Sequence, residues 1–167
     1  MKKNTWIKVL SVIYILILIW IIIFKMGFVL PYIRSINLIP FKESVIINGK
    51  IDLDEIINNL IVFIPLGLYV GMQYRENNYF TKLFPIFGLS LGFEIIQFIF
   101  HIGASDITDL IMNTLGGAIG IIVINIIYKL FKNEERVNKI LSILATICTI
   151  CVLLFIFLLI IANNIWV

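Results

Sequence analysis

The chain has 167 residues, of which 61% are hydrophobic and 14% are charged, and its mean hydropathy is +1.08. Soluble domains are about half apolar and about one quarter charged, so an ordinary water-soluble fold is excluded. The net charge of +3 comes from 13 basic and 10 acidic residues without a dense basic block, which excludes a nucleic-acid-binding module. The composition predicts a single domain, residues 1–167, that lies in a lipid bilayer.

Apolar stretches long enough to be membrane spans follow one another along the chain. A helix needs about 20 mainly apolar residues to cross a bilayer, and backbone groups in lipid must form hydrogen bonds within their own segment. The sequence therefore predicts an all-α integral membrane protein, a compact bundle of about five transmembrane helices. The predicted spans are residues 7–24, 57–74, 83–100, 110–128 and 140–162.

The distribution of lysine and arginine predicts the orientation of the bundle. With the N-terminus in the cytoplasm, nine of these residues lie in inner segments and four lie in outer segments. Cytoplasmic loops carry the excess of Lys and Arg in membrane proteins. The N-terminus is therefore predicted to be cytoplasmic and the C-terminus extracytoplasmic.

The long connection between the first and second spans, residues 25–56, is unusual. It contains Pro31 and Pro40 within apolar stretches, and these prolines argue against one continuous helix. We expect an interfacial or re-entrant segment on the outer side, followed by a short amphipathic lead-in to the second span at residues 52–58. A loosely structured loop that rests on the membrane surface is the alternative.

A buried carboxylate marks the third span. Glu94 lies well inside this span, where an ionised carboxylate costs at least about 2.5 kcal/mol on insertion scales. We therefore expect Glu94 to face protein or water and to have a partner, or to be protonated. Gln97 and His101 follow at three and seven residues, a spacing that predicts one shared helix face.

A second polar stripe begins the fourth span. The spacing of Asp106, Asp109 and Asn113 predicts that these side chains also share one helix face. Either Ser105 or Asp106 is expected to cap this helix, and Asp109 suits its positive N-terminal end.

Small residues next to the polar stripe predict close helix packing. Gly116 and Gly120 form a GxxxG pattern, which lets two membrane helices approach closely. Because Asn113 shares this face, a helix packed there would meet the polar stripe. The second span also begins with Asn58 and Asn59. The residues predicted to serve helix packing are Pro65, Gly67, Gly116, Gly117 and Gly120.

Under the predicted orientation the polar residues form a pocket that faces outward, and several roles are open for it. The side chains could lock the bundle by mutual hydrogen bonds, or they could bind a polar group that arrives from the outer leaflet. A catalytic site would use Glu94 or Asp109 as the base and His101 as a proton carrier. A metal site would use His101, Asp106 and Asp109. Neither has a specific motif, since GxSxG and HExxH are absent from the sequence.

Motifs along three quarters of the chain resemble one protein family. They are NLIPF at 37–41, DEIINNLIVFIPLGL at 54–68, FEIIQFIF at 93–100 and GASDITDLIMNTLGGAIG at 103–120. In their residues and their spacing these motifs resemble the VanZ-like family, with a motif core at about 37–128. The positions that match the family's motifs are Asn37, Pro40, Phe41, Asn59, Phe63, Pro65, Gly67, Glu94, Gln97, Asp106, Asp109, Asn113, Gly116 or Gly117, and Gly120. Many members have an arginine just before the aspartate pair, where this chain has Gly103, so an ion pair common to the family is not assumed.

The resemblance implies a bacterial cell-membrane protein that confers low-level resistance to teicoplanin, a glycopeptide antibiotic with a fatty acyl chain. The implied partners are the drug and a membrane lipid or lipid-linked cell-wall precursor, and no cofactor or nucleic acid is expected. The leading hypothesis is that the outward-facing site binds one of these partners and lowers drug access to its target. A membrane enzyme that modifies a lipid or wall precursor through Glu94, His101 and Asp109, and a structural helper of another membrane protein, are the alternatives. The candidate ligand-binding residues are Asn37, Asn59, Glu94, Gln97, Asp106, Asp109 and Asn113.

Overall fold

The computed structural model describes residues 5–23, 33–41, 46–47, 50–51, 53–131 and 133–165. In these ranges the helices are α1 (Thr5–Ile23), α2 (Asp54–Gln73), α3 (Tyr79–Phe100), α4 (Ile107–Phe131) and α5 (Glu134–Ile165). All five are long and apolar enough to cross a membrane, which confirms the prediction of an all-α, multi-pass membrane protein. Each predicted span overlaps one of these helices along most of its length.

Short strands cross one end of the bundle. Strand β1 (Ile33–Asn37) pairs in parallel with β4 (Ile102–Asp106), and β2 (Ile46–Ile47) pairs with β3 (Lys50–Ile51) as an antiparallel hairpin. Hydropathy does not predict these strands, because segments of two to five residues between spans carry no period that can be recognised.

The strand β1 comes from the long connection between α1 and α2. Part of that connection, including Pro31, lies outside the described residues, so its interfacial or re-entrant form stays a prediction. What the structure adds is that this connection returns to the end of α3. The register places Asn37 opposite Asp106 and Arg34 opposite Gly103.

Local interactions set where α3 ends and where α4 begins. His101 ends α3 in the left-handed conformation at φ 56°, and its N–H donates to the Gln97 carbonyl. His101 therefore lies outside the helix, and its seven-residue spacing from Glu94 does not place it on the same helix face. Asp106, one of the two predicted caps, caps α4: the Thr108 N–H donates to Asp106 Oδ1 at 2.7 Å.

The helices α2 and α4 make the most extensive contact in the bundle. A methyl group added at Gly116 would overlap the Leu60 carbonyl oxygen, and one at Gly67 would overlap the Gly117 carbonyl. Gly120 meets the backbone of α2 in the same way. These glycines allow the two backbones to touch, which is how small residues bring membrane helices together. Pro65 lies elsewhere on α2, where it lines a groove shared with α1 and α5.

The bundle has two chemically different ends. At the site end, where α3 stops and α4 starts, the Gln97 amide donates to the carbonyl of Ile22, near the end of α1. At the opposite end, where the chain turns from α2 into α3, Arg75 forms an ion pair with Glu134 at the start of α5. The strands β1 and β4 lie at the site end and thereby bring the long connection onto the polar residues.

Candidate functional site

Glu94 joins α3 to the strand that follows it. Its side chain is 6% exposed, and Glu94 Oε2 accepts a hydrogen bond from the Asp106 backbone N–H at 2.8 Å. The Ser105 side chain lies close enough to interact with the same carboxyl group. The bond to the Asp106 N–H attaches the end of β4 to α3.

Asp106 connects three elements through its two oxygens. Oδ1 caps α4 through Thr108, and Oδ2 accepts a hydrogen bond from Asn37 Nδ2 at 3.0 Å. Both Asp106 and Asn37 are buried, so this contact fixes the end of β1 beside the start of α4.

The NLIPF motif forms a turn that is attached to α4. Asn37 Oδ1 accepts a hydrogen bond from the Ile39 N–H at 3.1 Å, which closes the first half of the turn. The Phe41 N–H then donates to the Thr108 hydroxyl at 3.0 Å, and Phe41 itself has a positive φ of 61°. The turn, with Pro40 inside it, therefore rests on the first turn of α4.

Asp109 lies where the acidic side chains converge. The Asn59 side chain on α2 lies close to it, and the carboxyl groups of Glu55, Glu94 and Asp106 are near enough to interact with it electrostatically. Asn59 and Asp109 lie close together because the glycines permit a close contact between α2 and α4. The polar stripe on α4 meets the amide of Asn59, as the shared face of Asn113 and the glycines predicts.

Two buried amides complete the site. Asn113 is 1% exposed and its Nδ2 donates to the Ser90 hydroxyl at 3.0 Å, while Gln97 is 4% exposed and its Nε2 donates to the Ile22 carbonyl at 3.3 Å. A methyl group at Gly103 would lie 3.1 Å from Gln97 Nε2, so the glycine leaves room for this amide beneath β4.

Acceptor atoms remain without donors in this site. Among the described residues, Gln97 Oε1, Asp109 Oδ1 and Asn113 Oδ1 are buried and have no hydrogen-bond partner. Buried polar atoms are usually paired in folded proteins, so each unpaired one requires an explanation. Three of the five such side-chain atoms among the described residues lie in this site.

The structure brings the candidate binding residues together at the site end, where they lie on α2, α3, α4 and the two strands. They are Asn37, Asn59, Glu94, Gln97, Asp106, Asp109 and Asn113. Sequence reasoning missed Glu55, Ser90 and Thr108. The first two could have been found, because each precedes a recognised site residue by four positions on the same helix. Thr108 could not have been found in this way, because the sequence shows only that it follows the predicted cap of α4.

The chemistry available here is hydrogen-bond acceptance and negative charge. Among the described residues, no group of three or more His, Cys, Asp or Glu side chains is arranged to hold a metal ion. Glu94, the predicted base, instead accepts a bond that holds β4 in place.

The fold and the site define a multi-pass membrane protein with a buried, acceptor-rich site at one end of the bundle. A profile of the VanZ/LLP1 family matches residues 11–132, and the chain belongs to this family. The chain is similar to Protein VanZ of Enterococcus faecium, with 42% identity over 117 residues that cover 67% of this chain and 69% of that protein. No solved structure matches the chain.

Proposed function

We propose that this protein is a VanZ-type resistance protein that lowers the access of teicoplanin to its target. In this proposal the site end binds either the drug or the head group of a lipid or lipid-linked cell-wall precursor. Membership of the VanZ/LLP1 family supports the general class, and the site chemistry supports binding.

The observation that carries the proposal is the set of unpaired acceptors. A polar cluster that only stabilised the bundle would be expected to satisfy all of its buried atoms, because a partly satisfied network is costly in a low-dielectric interior. Here three acceptors lack donors among the described residues, although the amide nitrogens of Gln97 and Asn113 are paired. A bound group would supply the missing donors.

The proposal requires the site end to face outward, as the distribution of Lys and Arg predicts. Cysteine labelling tests this in a background where Cys148 and Cys151 are replaced by serine. Leu38→Cys lies beside Asn37 at the site end and Asn77→Cys lies in the turn at the opposite end, and both positions are exposed. A membrane-impermeant maleimide should label Leu38→Cys in intact cells and Asn77→Cys after permeabilisation only; the reverse pattern would contradict an outward-facing site.

Substitution in a glycopeptide-susceptible host tests the function. Glu94→Gln, Asp109→Asn and Asn113→Ala should each abolish resistance to teicoplanin while the protein still accumulates in the membrane. Matched controls remove the same chemistry from exposed positions: Glu135→Gln on α5 and Asn125→Ala on α4 should keep resistance. The measurements are teicoplanin and vancomycin susceptibility, drug bound per cell and the amount of protein in the membrane.

The outcomes separate the hypotheses. Unchanged resistance in all the site variants would defeat the binding proposal, and failure of these variants to accumulate would favour a purely structural role. Equal effects on teicoplanin and vancomycin would contradict a role for the acyl chain. A covalently altered lipid-linked precursor, detected by mass spectrometry after incubation with the protein in nanodiscs, would favour the enzyme.

A further inference from the structure

The unpaired atoms at the site end are acceptors and not donors. The orientation of the Gln97 amide is fixed because its Nε2 faces the Ile22 carbonyl, which can only accept, so the buried unpaired atom is the oxygen Oε1. The carboxyl oxygen Oδ1 of Asp109 is also buried and unpaired among the described residues. A ligand that fits these atoms must donate hydrogen bonds.

Lysine and arginine side chains that the structure describes lie away from the site end. The carboxyl groups of Glu55, Glu94 and Asp106 each lie within electrostatic range of Asp109 at the site end. Every lysine and arginine whose side chain the structure describes lies at the opposite end. They are Lys8, Arg75, Lys82, Lys129, Arg136 and Lys139. Because like charges in a poorly solvated site repel one another, a positive group complements these carboxylates, and no lysine or arginine side chain that the structure describes supplies one at this end.

We infer that the ligand presents a primary ammonium group to Gln97, Asp109 and Asn113. An ammonium has three N–H donors and a positive charge, and so meets both requirements at once. A neutral hydroxyl group supplies a donor without the charge, and a quaternary ammonium supplies the charge without an N–H donor. The inference rests on the proposed binding function and adds the chemical class of the ligand.

A metal ion fits the site less well. Among the described residues, the acidic side chains do not form a group arranged to hold one. Glu94 and Asp106 also have oxygens committed to backbone N–H groups, at 2.8 Å and 2.7 Å, which orients these carboxylates toward the chain itself. An ammonium needs only the buried oxygens that have no partner among the described residues.

Lipids that differ only in head group provide the test. The protein is reconstituted in nanodiscs that contain equal amounts of phosphatidylethanolamine, phosphatidylcholine and phosphatidylglycerol with the same acyl chains, and retained lipid is measured by native mass spectrometry. Only phosphatidylethanolamine has N–H donors on a positive group. Loss of one hydrogen bond to a charged group lowers affinity by about tenfold or more, so phosphatidylethanolamine should be retained about tenfold better than phosphatidylcholine. Asp109→Asn should remove this preference and Glu135→Gln should not.

A second arm separates a lipid head group from a peptide amino group. N-acetyl-lysine amide, which has a free side-chain ammonium, is compared with its side-chain-acetylated form as a competitor of retained phosphatidylethanolamine. Competition by the free amine alone identifies a site that also accepts a peptide amino group. No competition by either compound identifies a site that requires the lipid, and equal competition by both would overturn the inference.

The failures of the two proposals are distinguishable. Equal retention of all three lipids by the wild-type protein, together with loss of resistance in the site variants, would overturn the ammonium inference and leave the binding function intact. Unchanged resistance in the site variants would defeat the binding function whatever lipid is retained.

The chain itself has a cation at a nearby register position, Arg34 opposite Gly103. Arg34→Gln, Asp109→Asn and the double variant form a cycle in which unfolding in detergent is measured. We expect the two effects on stability to add and the lipid preference to persist in Arg34→Gln. A large non-additive term, with the preference lost, would overturn the inference because the partner of Asp109 would then be the protein's own guanidinium.

Discussion

The two ends of the bundle place charge in opposite ways. At the opposite end, Arg75 pairs with Glu134 and its guanidinium lies 4.3 Å from the centre of the Tyr128 ring. The Tyr128 hydroxyl donates to Asn138 Oδ1 at 2.5 Å, and the buried ammonium of Lys82 donates to the Arg75 carbonyl at 2.8 Å. At the site end, carboxylates and amide oxygens converge and three acceptors lack donors among the described residues.

This difference in charge suggests different roles for the two ends: the opposite end stabilises the bundle, and the site end is suited to binding. At the opposite end the charged groups are paired within the protein, and these contacts hold α2, α4 and α5 together. An end with a surplus of acceptors is costly to the free protein and gains when a donor arrives. The same helices form both ends, so substitutions at each end can be compared in one background.

Breaking the close contact between α2 and α4 should have the largest effect on stability. In Gly116→Leu the new side chain would overlap the Leu60 carbonyl, and because the obstacle is backbone the helices α2 and α4 must separate. We expect destabilisation of about 3 kcal/mol and little protein in the membrane. The measurements are accumulation in membranes and thermal unfolding in detergent.

Gly88→Leu on α3 is the matched control, since a Cβ at Gly88 has no neighbour within 4 Å among the described residues. It should accumulate like the wild type. Equal losses in the two variants would mean that the membrane environment, and not the α2–α4 contact, limits this substitution.

The sequence predicts the helices well because hydropathy acts over about 20 residues and the bilayer imposes the same length. It does not predict β1 and β4, because their pairing joins segments 69 residues apart at Asn37 and Asp106 and depends on side-chain contacts that have no local signature. The end of α3 shows the same limit. His101 continues the helical spacing in the sequence, but the chain turns at this residue.

The sequence predicts which residues form the candidate site, but it does not predict which of their atoms are paired. Helical spacing brings Glu94 together with Gln97, and Asp109 with Asn113, while the glycines on α4 predict that a second helix meets them. Which atoms are paired could not be predicted, because the bonds to Ser90 and to the Ile22 carbonyl depend on how the helices are placed in space.

A substitution at the site end tests how far this end also supports the fold. Asp106→Ala removes the cap of α4 and the bond from Asn37, and we expect a loss of about 2 kcal/mol in unfolding free energy together with loss of resistance. Asp106→Asn keeps a capping oxygen and should recover most of the stability. Full stability in Asp106→Ala would show that β1 and α4 do not depend on this carboxylate.

At the opposite end, Arg75→Gln should cost stability without affecting resistance. The ion pair is about one-third exposed, which limits its contribution, and we expect a loss of about 1 kcal/mol that includes the contact with the Tyr128 ring. Arg136→Gln removes an exposed arginine of α5 and serves as the control, with no expected change. A loss of resistance in Arg75→Gln at normal protein levels would contradict the division between the two ends.

The smallest effect is expected for Tyr128→Phe, which keeps the ring beneath Arg75 and removes the hydroxyl. Asn138 is half-buried, so its oxygen can turn to another donor when the hydroxyl is lost, and the expected change is about 0.5 kcal/mol. Tyr74→Phe, at an exposed tyrosine of the neighbouring turn, is the control. If Tyr128→Phe destabilised the protein more than Arg75→Gln, the hydroxyl–amide bond would organise the opposite end. The Arg75 guanidinium would then contribute less to stability than the Tyr128 hydroxyl. The two ends would differ in their hydrogen bonding and not in their charge.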